Sequence, residues 1–140
     1  MSLTIAAELA QIPAHHLNIM GYVDESAVNG PGCRAVVWVQ GCSRECRGCF
    51  NQASWSFEIN QLITVESLAA KILANPRNSG LTFSGGEPFW QAKALTELAK
   101  YVKEKGLNVM SFTGFTIEQL RSTQAPPHSQ ELLAQLHRVC

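Results

Sequence analysis

Apolar runs recur along the chain, and each is followed by a turn carrying glycine or cysteine. The run Cys33–Gln40, centred on Ala35-Val36-Val37-Trp38-Val39, is nearly continuous, the pattern of a strand buried on both faces. Shorter runs at Leu81-Thr82-Phe83-Ser84 and Leu107–Phe112 predict two further strands, ending in Gly85-Gly86-Glu87-Pro88 and Thr113-Gly114. Helical stripes lie between them. Val65, Leu68, Ala69, Ile72 and Leu73 share one face behind a capping Thr64, and Asn75-Pro76 ends that helix. Leu95, Leu98, Ala99 and Val102 form a core stripe on a helix over 91–105, with Gly106 placed for a left-handed close. Thr116-Ile117-Glu118-Gln119 is a capping box opening a short helix, and Ser129, after Pro126-Pro127, is placed to cap a last one through His137. Upstream, residues 3–11 have helical composition and stop at Pro13, Leu17–Val23 reads as an edge strand, and 50–60 reads as irregular.

Strand, loop and helix succeed one another in repeated order, which predicts parallel βαβ units with right-handed crossovers. The expected fold is α/β: an incomplete parallel (β/α) barrel or an open parallel sheet of about four or five strands. Every candidate functional turn then falls at the carboxyl end of a strand, where such folds hold their ligands. Residues 1–16 read as an N-terminal arm and 17–140 as one domain, long enough to bury an ordinary core.

Charge removes some function classes. Eleven basic and eleven acidic residues cancel, so nothing electrostatic points to nucleic acid or to an anionic membrane. No run is long enough to span a bilayer, and the N-terminus lacks the basic and apolar regions of a secretory signal. Five cysteines, an odd number, without an export signal predict reduced thiols and a cytoplasmic protein.

The chemistry concentrates in Gln40-Gly41-Cys42-Ser43-Arg44-Glu45-Cys46-Arg47-Gly48-Cys49-Phe50-Asn51, directly after the strongest strand. Cys42, Cys46 and Cys49 stand at C-x3-C-x2-C. Thiolates suit zinc and iron–sulfur clusters, and closed sites of either kind normally take four protein ligands. Three clustered thiols leave one corner open for substrate or cofactor. A zinc site completed by Cys33 or a histidine is the rival reading. Otherwise Cys33 and Cys140 read as small apolar residues.

The cysteine loop, with Val28-Asn29-Gly30-Pro31-Gly32 before it and Ser84-Gly85-Gly86-Glu87-Pro88 after it, resembles the radical S-adenosylmethionine (SAM) superfamily. Within it, the aromatic just after the third cysteine (Phe50), Trp55 and the Thr113-Gly114-Phe115-Thr116 turn are similar to the activating enzymes of anaerobic (class III) ribonucleotide reductase. That branch continues past His137-Arg138-Val139-Cys140 with a further strand and an Asp-Gly turn, which the resemblance marks as missing here. The resemblance implies a [4Fe–4S] cluster on Cys42, Cys46 and Cys49, with SAM on the fourth iron. It also implies methionine-end contacts from Gly85, Gly86, Glu87 and Pro88, with Glu87 accepting from the SAM ammonium. Gly48 and Phe50 would meet the adenine, Thr113 is a further ligand candidate, and Asn51 and Trp55 would stand behind them. The implied activity is reductive cleavage of SAM to a 5′-deoxyadenosyl radical that makes a glycyl radical on a partner enzyme, with a flavodoxin- or ferredoxin-type reductant. Two alternatives remain at this point: a non-catalytic iron–sulfur or zinc module serving structure or electron transfer, and a radical SAM enzyme acting on a small molecule.

Overall fold

The structure, a computed structural model, describes residues 3–27, 32–42 and 56–140, with the side chains of Leu3 and Thr4 excepted. Cys46, Gly48, Cys49, Phe50, Asn51 and Trp55, and the turn over 28–31, lie outside the described residues. Six strands form one sheet in the order β3-β1-β2-β4-β5-β6. They are β1 (His16–Ser26), β2 (Arg34–Val39), β3 (Gln61–Thr64), β4 (Gly80–Gly85), β5 (Asn108–Ser111) and β6 (Arg138–Val139). The helices are α1 (Leu3–Leu9), α2 (Val65–Leu73), α3 (Ala92–Lys103), α4 (Ile117–Arg121) and α5 (Ser129–Gln135), and a 3-10 turn over Pro88–Gln91 leads into α3.

Strands β2, β4, β5 and β6 run parallel, in register from Arg34↔Gly80↔Asn108 upward. This is the expected α/β sheet. Ala35, Val37 and Val39 of β2, Leu81 and Phe83 of β4, and Val109 of β5 pack with Val65, Leu68 and Ile72 of α2 and Leu95, Leu98 and Val102 of α3. Each fully buried aliphatic side chain contributes about 1.5–3 kcal/mol relative to exposure. The predicted caps are present. Thr64 accepts from the Ser67 N–H, and Thr116 and Gln119 complete a reciprocal capping box. Gly106 is left-handed, with φ 90°.

Four expectations are corrected. Leu17–Val23 lies in an interior strand, because β1 pairs antiparallel with β2 on one side and with β3 on the other. The sheet is therefore mixed and has six strands. Strand β3 comes after the 50–60 segment and carried no signal, being four residues long and largely exposed. Ser129 is not the cap of α5. His128 takes that position with φ 65°, and the Ser129 hydroxyl turns back to Pro126 O at 2.6 Å. Helix α5 stops at Gln135 because the open edge of β5 recruits the next few residues. His137 N–H donates to Val109 O at 2.7 Å, and residues 138–139 become β6.

The other face of β2 carries Arg34, which is fully buried near the amino ends of the parallel strands. Its guanidinium donates to Thr82 Oγ1 and Leu81 O at 2.8 Å each, and to Asn108 Oδ1, so it ties β2, β4 and β5. Among the described residues no helix is long and apolar enough to cross a membrane.

Candidate functional site

Three turns meet at the carboxyl ends of the parallel strands. The first begins at Gln40-Gly41-Cys42 after β2, with Cys42 half-buried. The second is Gly85-Gly86-Glu87 after β4, and the third is Thr113-Gly114-Phe115 after β5. Main-chain bonds join the first two, from Gly86 N–H to Val39 O at 2.9 Å and from Glu87 N–H to Gly41 O at 2.8 Å. The glycines are required by that approach. Gly85 sits at φ 96°, and a Cβ on Gly86 would overlap the carbonyl oxygen of Gly41 and come within 2.7 Å of its carbonyl carbon. What comes close to these glycines is thus the neighbouring turn, on which the cysteine loop begins.

Glu87 joins the second turn to the third. It is only 1% exposed. Its Oε1 accepts from Gly114 N–H at 2.7 Å and from the Thr113 hydroxyl at 2.9 Å, while Oε2 accepts from Phe89 N–H at 3.1 Å. The Thr113 hydroxyl is also 2.9 Å from Oε2 and accepts from Phe115 N–H at 3.1 Å. Pro88 is buried at the start of the 3-10 turn. Glu87 and Thr113, singled out separately from sequence, are therefore direct partners.

Sequence reading passed over Trp90. Its ring meets Phe57 at 6.2 Å and Phe115 at 6.3 Å between centroids, both edge-on. An aromatic row thus connects the segment after the cysteine loop to the turn after β5. Only the spacing of aromatics one to two residues past each turn could have suggested it. A cavity of about 440 Å³ lies on the far side of Trp90, between α1 and α3, where His15 pairs with Glu97 at 2.9 Å.

The remaining cysteines separate by position. Cys33 precedes β2, so the six residues of that strand, roughly 17–20 Å, stand between it and the start of the cysteine loop. It cannot complete a metal site at Cys42. Desolvation, then the neighbouring Glu25, also pushes its thiol pKa up, which disfavours the thiolate a metal needs. Cys140 comes directly after β6 and is exposed rather than packed, with its main chain bonded to Ser111 and Thr113.

A 4Fe-4S single cluster domain family matches residues 28–140. The chain is 33% identical to the anaerobic ribonucleoside-triphosphate reductase-activating protein of Vibrio cholerae, over 77% of this chain and 75% of that one. The chain belongs to the 4Fe-4S single-cluster family, on its radical SAM activase branch. The activating protein of the same name from Enterobacteria phage T4 is 32% identical over 69% of this chain and 66% of its own. The pyruvate formate-lyase-activating enzyme of Clostridium pasteurianum is 36% identical, over 67% of this chain and 40% of its own. In fold, this activase superposes on QueE from Escherichia coli with a TM-score of 0.56 at 14% identity, covering 99% of this chain and 74% of that one. The donor set fits the cluster this family carries: soft thiolates, the first of them half-buried at a strand end beside two joined turns.

Proposed function

We propose that this chain is an activase that cleaves SAM at a [4Fe–4S] cluster held by Cys42, Cys46 and Cys49 and generates a glycyl radical on a partner enzyme. The observation that carries it is the main-chain junction of the Gly41-Cys42 and Gly85-Gly86-Glu87 turns at one end of the sheet. That junction sets a thiolate-bearing loop directly beside a glycine-rich turn, as cluster and SAM sharing one iron would need. The chemistry supplied by a bound cluster is one-electron reduction of the sulfonium, giving methionine and a 5′-deoxyadenosyl radical that takes hydrogen from a glycine Cα.

The chain's own residues bind and orient. Main chain at Gly85 and Gly86, with Pro88 and Thr113, would meet the methionine end of SAM, and Gly48 and Phe50 the adenine. Glu87 acts through its neighbours: with both oxygens engaged inside the protein, it fixes the Thr113 hydroxyl and Gly114 N–H in direction. The partner is a protein presenting a glycine at the open rim, as the activating proteins among the relatives suggest by name. A flavodoxin- or ferredoxin-type reductant and a cytoplasmic setting complete the reading.

Anaerobic reconstitution tests it. Iron and sulfide should be taken up with broad visible absorption, and dithionite-reduced protein should release 5′-deoxyadenosine from SAM. Cys42→Ala, Cys46→Ala and Cys49→Ala should each abolish this, while Cys33→Ala should not. Stoichiometric zinc without iron refutes the cluster. A cluster-loaded chain that yields no deoxyadenosine, even beside its partner, would be a passive metal module.

A further inference from the structure

Both stems of the cysteine loop are held by buried side-chain amides that no motif accounts for. Gln40 is the last residue before the loop turn, and its Nε2 donates to Ser56 O, beyond the loop, at 2.8 Å. Asn18, 1% exposed on β1, grips the same segment further on. Its Nδ2 donates to Glu58 O at 3.0 Å, and its Oδ1 accepts from Asn60 N–H at 2.8 Å and Gln61 N–H at 3.2 Å. Gln91, 7% exposed at the end of the 3-10 turn, closes the set. Its Oε1 accepts from Asn18 N–H at 2.9 Å, and its Nε2 donates to Asn18 O at 2.8 Å and Gln40 O at 3.2 Å.

We infer that Asn18, Gln40 and Gln91 form an amide clamp that positions the cluster-binding loop, fixing the two points between which residues 43–55 run and coupling both to the helix start behind Gly85–Pro88. The clamp rests on the cluster reading above. Burying three primary amides costs free energy unless every donor and acceptor is matched. Here the matched partners are backbone groups on the two stems and on β1, so the network specifies where the stems lie rather than filling the core. A packed apolar trio would bury as well and would leave the stem spacing unspecified. Thiolates at 42, 46 and 49 can converge on one metal without a further ordering cost only if their stems are already placed. Partners standing behind metal ligands typically tune metal affinity by 10–100-fold.

The test reads metal release rather than turnover. Wild-type protein, Gln40→Leu, Gln91→Leu and Gln91→Glu are reconstituted anaerobically, and loss of iron to an excess of chelator is monitored over time. Arg34→Met serves as control, since Arg34 lies near the amino ends of the strands, away from the loop. Gln40→Leu and Gln91→Leu should release iron at least about tenfold faster than wild type. Gln91→Glu, which keeps the acceptor but loses the Nε2 donor, should fall between. Arg34→Met, though less stable, should release iron at the wild-type rate. Wild-type release rates in the two leucine variants overturn the clamp, as does release that tracks melting temperature across the whole set, control included. If the wild-type chain binds zinc instead of iron, the cluster reading fails and the same comparison made with zinc decides the clamp. If it takes up neither metal, both fail.

Discussion

Glu87→Gln separates two roles for the central carboxylate. A group that only meets the SAM ammonium could become an amide at no cost to the SAM-free protein. The geometry argues otherwise. Oε1 faces Gly114 N–H at 2.7 Å and Oε2 faces Phe89 N–H at 3.1 Å, so the amide NH2 confronts an N–H donor in either orientation. The Thr113 hydroxyl, at 2.9 Å from both oxygens, can turn to suit only itself. One hydrogen bond to a charged group is lost, worth about 1.5–3 kcal/mol, and a buried N–H is left unmatched at about 1–3 kcal/mol. These overlap, and about 2–4 kcal/mol is the expected total. At about 2.1 cal/mol/K per residue, unfolding entropy for a chain of this size converts that to roughly 7–14 °C of melting temperature. The assay is thermal unfolding of cluster-loaded, SAM-free protein at one fixed scan rate, with SAM binding measured alongside. If Glu87→Gln melts within about 2 °C of wild type while SAM affinity drops, the carboxylate is a direct ligand and its positioning role is wrong.

Three further outcomes are expected. Gly86→Ala places a methyl group against the Gly41 carbonyl, which should cost about 1–3 kcal/mol in urea unfolding and lower iron retention; an unchanged urea midpoint would contradict the close junction of the two turns. Arg34→Met leaves Thr82, Asn108 and the Leu81 carbonyl without their donor, so stability should fall by about 2–4 kcal/mol with iron content per folded chain unchanged. The Tyr22 hydroxyl, desolvated and bonded to Asp24 at 2.6 Å, is held protonated well above the usual tyrosine range. Its contribution is present below the unfolded-state pKa of about 10 and is lost as pH rises from there toward the raised folded value; wild-type urea midpoints should therefore drop more steeply above that pH than those of Tyr22→Phe.

Local sequence determined much of this protein. The apolar run ending at Val39, the caps at Thr64 and Thr116, and the alternation of strand and helix each depend on neighbours a few residues apart, so their patterns were readable directly. The three thiols and the glycine-rich turns were legible for the same reason, since ligand spacing and turn chemistry are written in adjacent residues. Tertiary structure decided what depends on partners distant in the chain. The direction in which β1 pairs, and the existence of β3 and β6, are set by sheet edges that recruit short segments with little propensity of their own. The joining of Glu87 to Thr113 and Gly114 spans 26 and 27 residues, and Asn18 meets Gln91 across 73. A buried amide or carboxylate takes its role from the donors that folding brings to it, and no spacing along the chain records them.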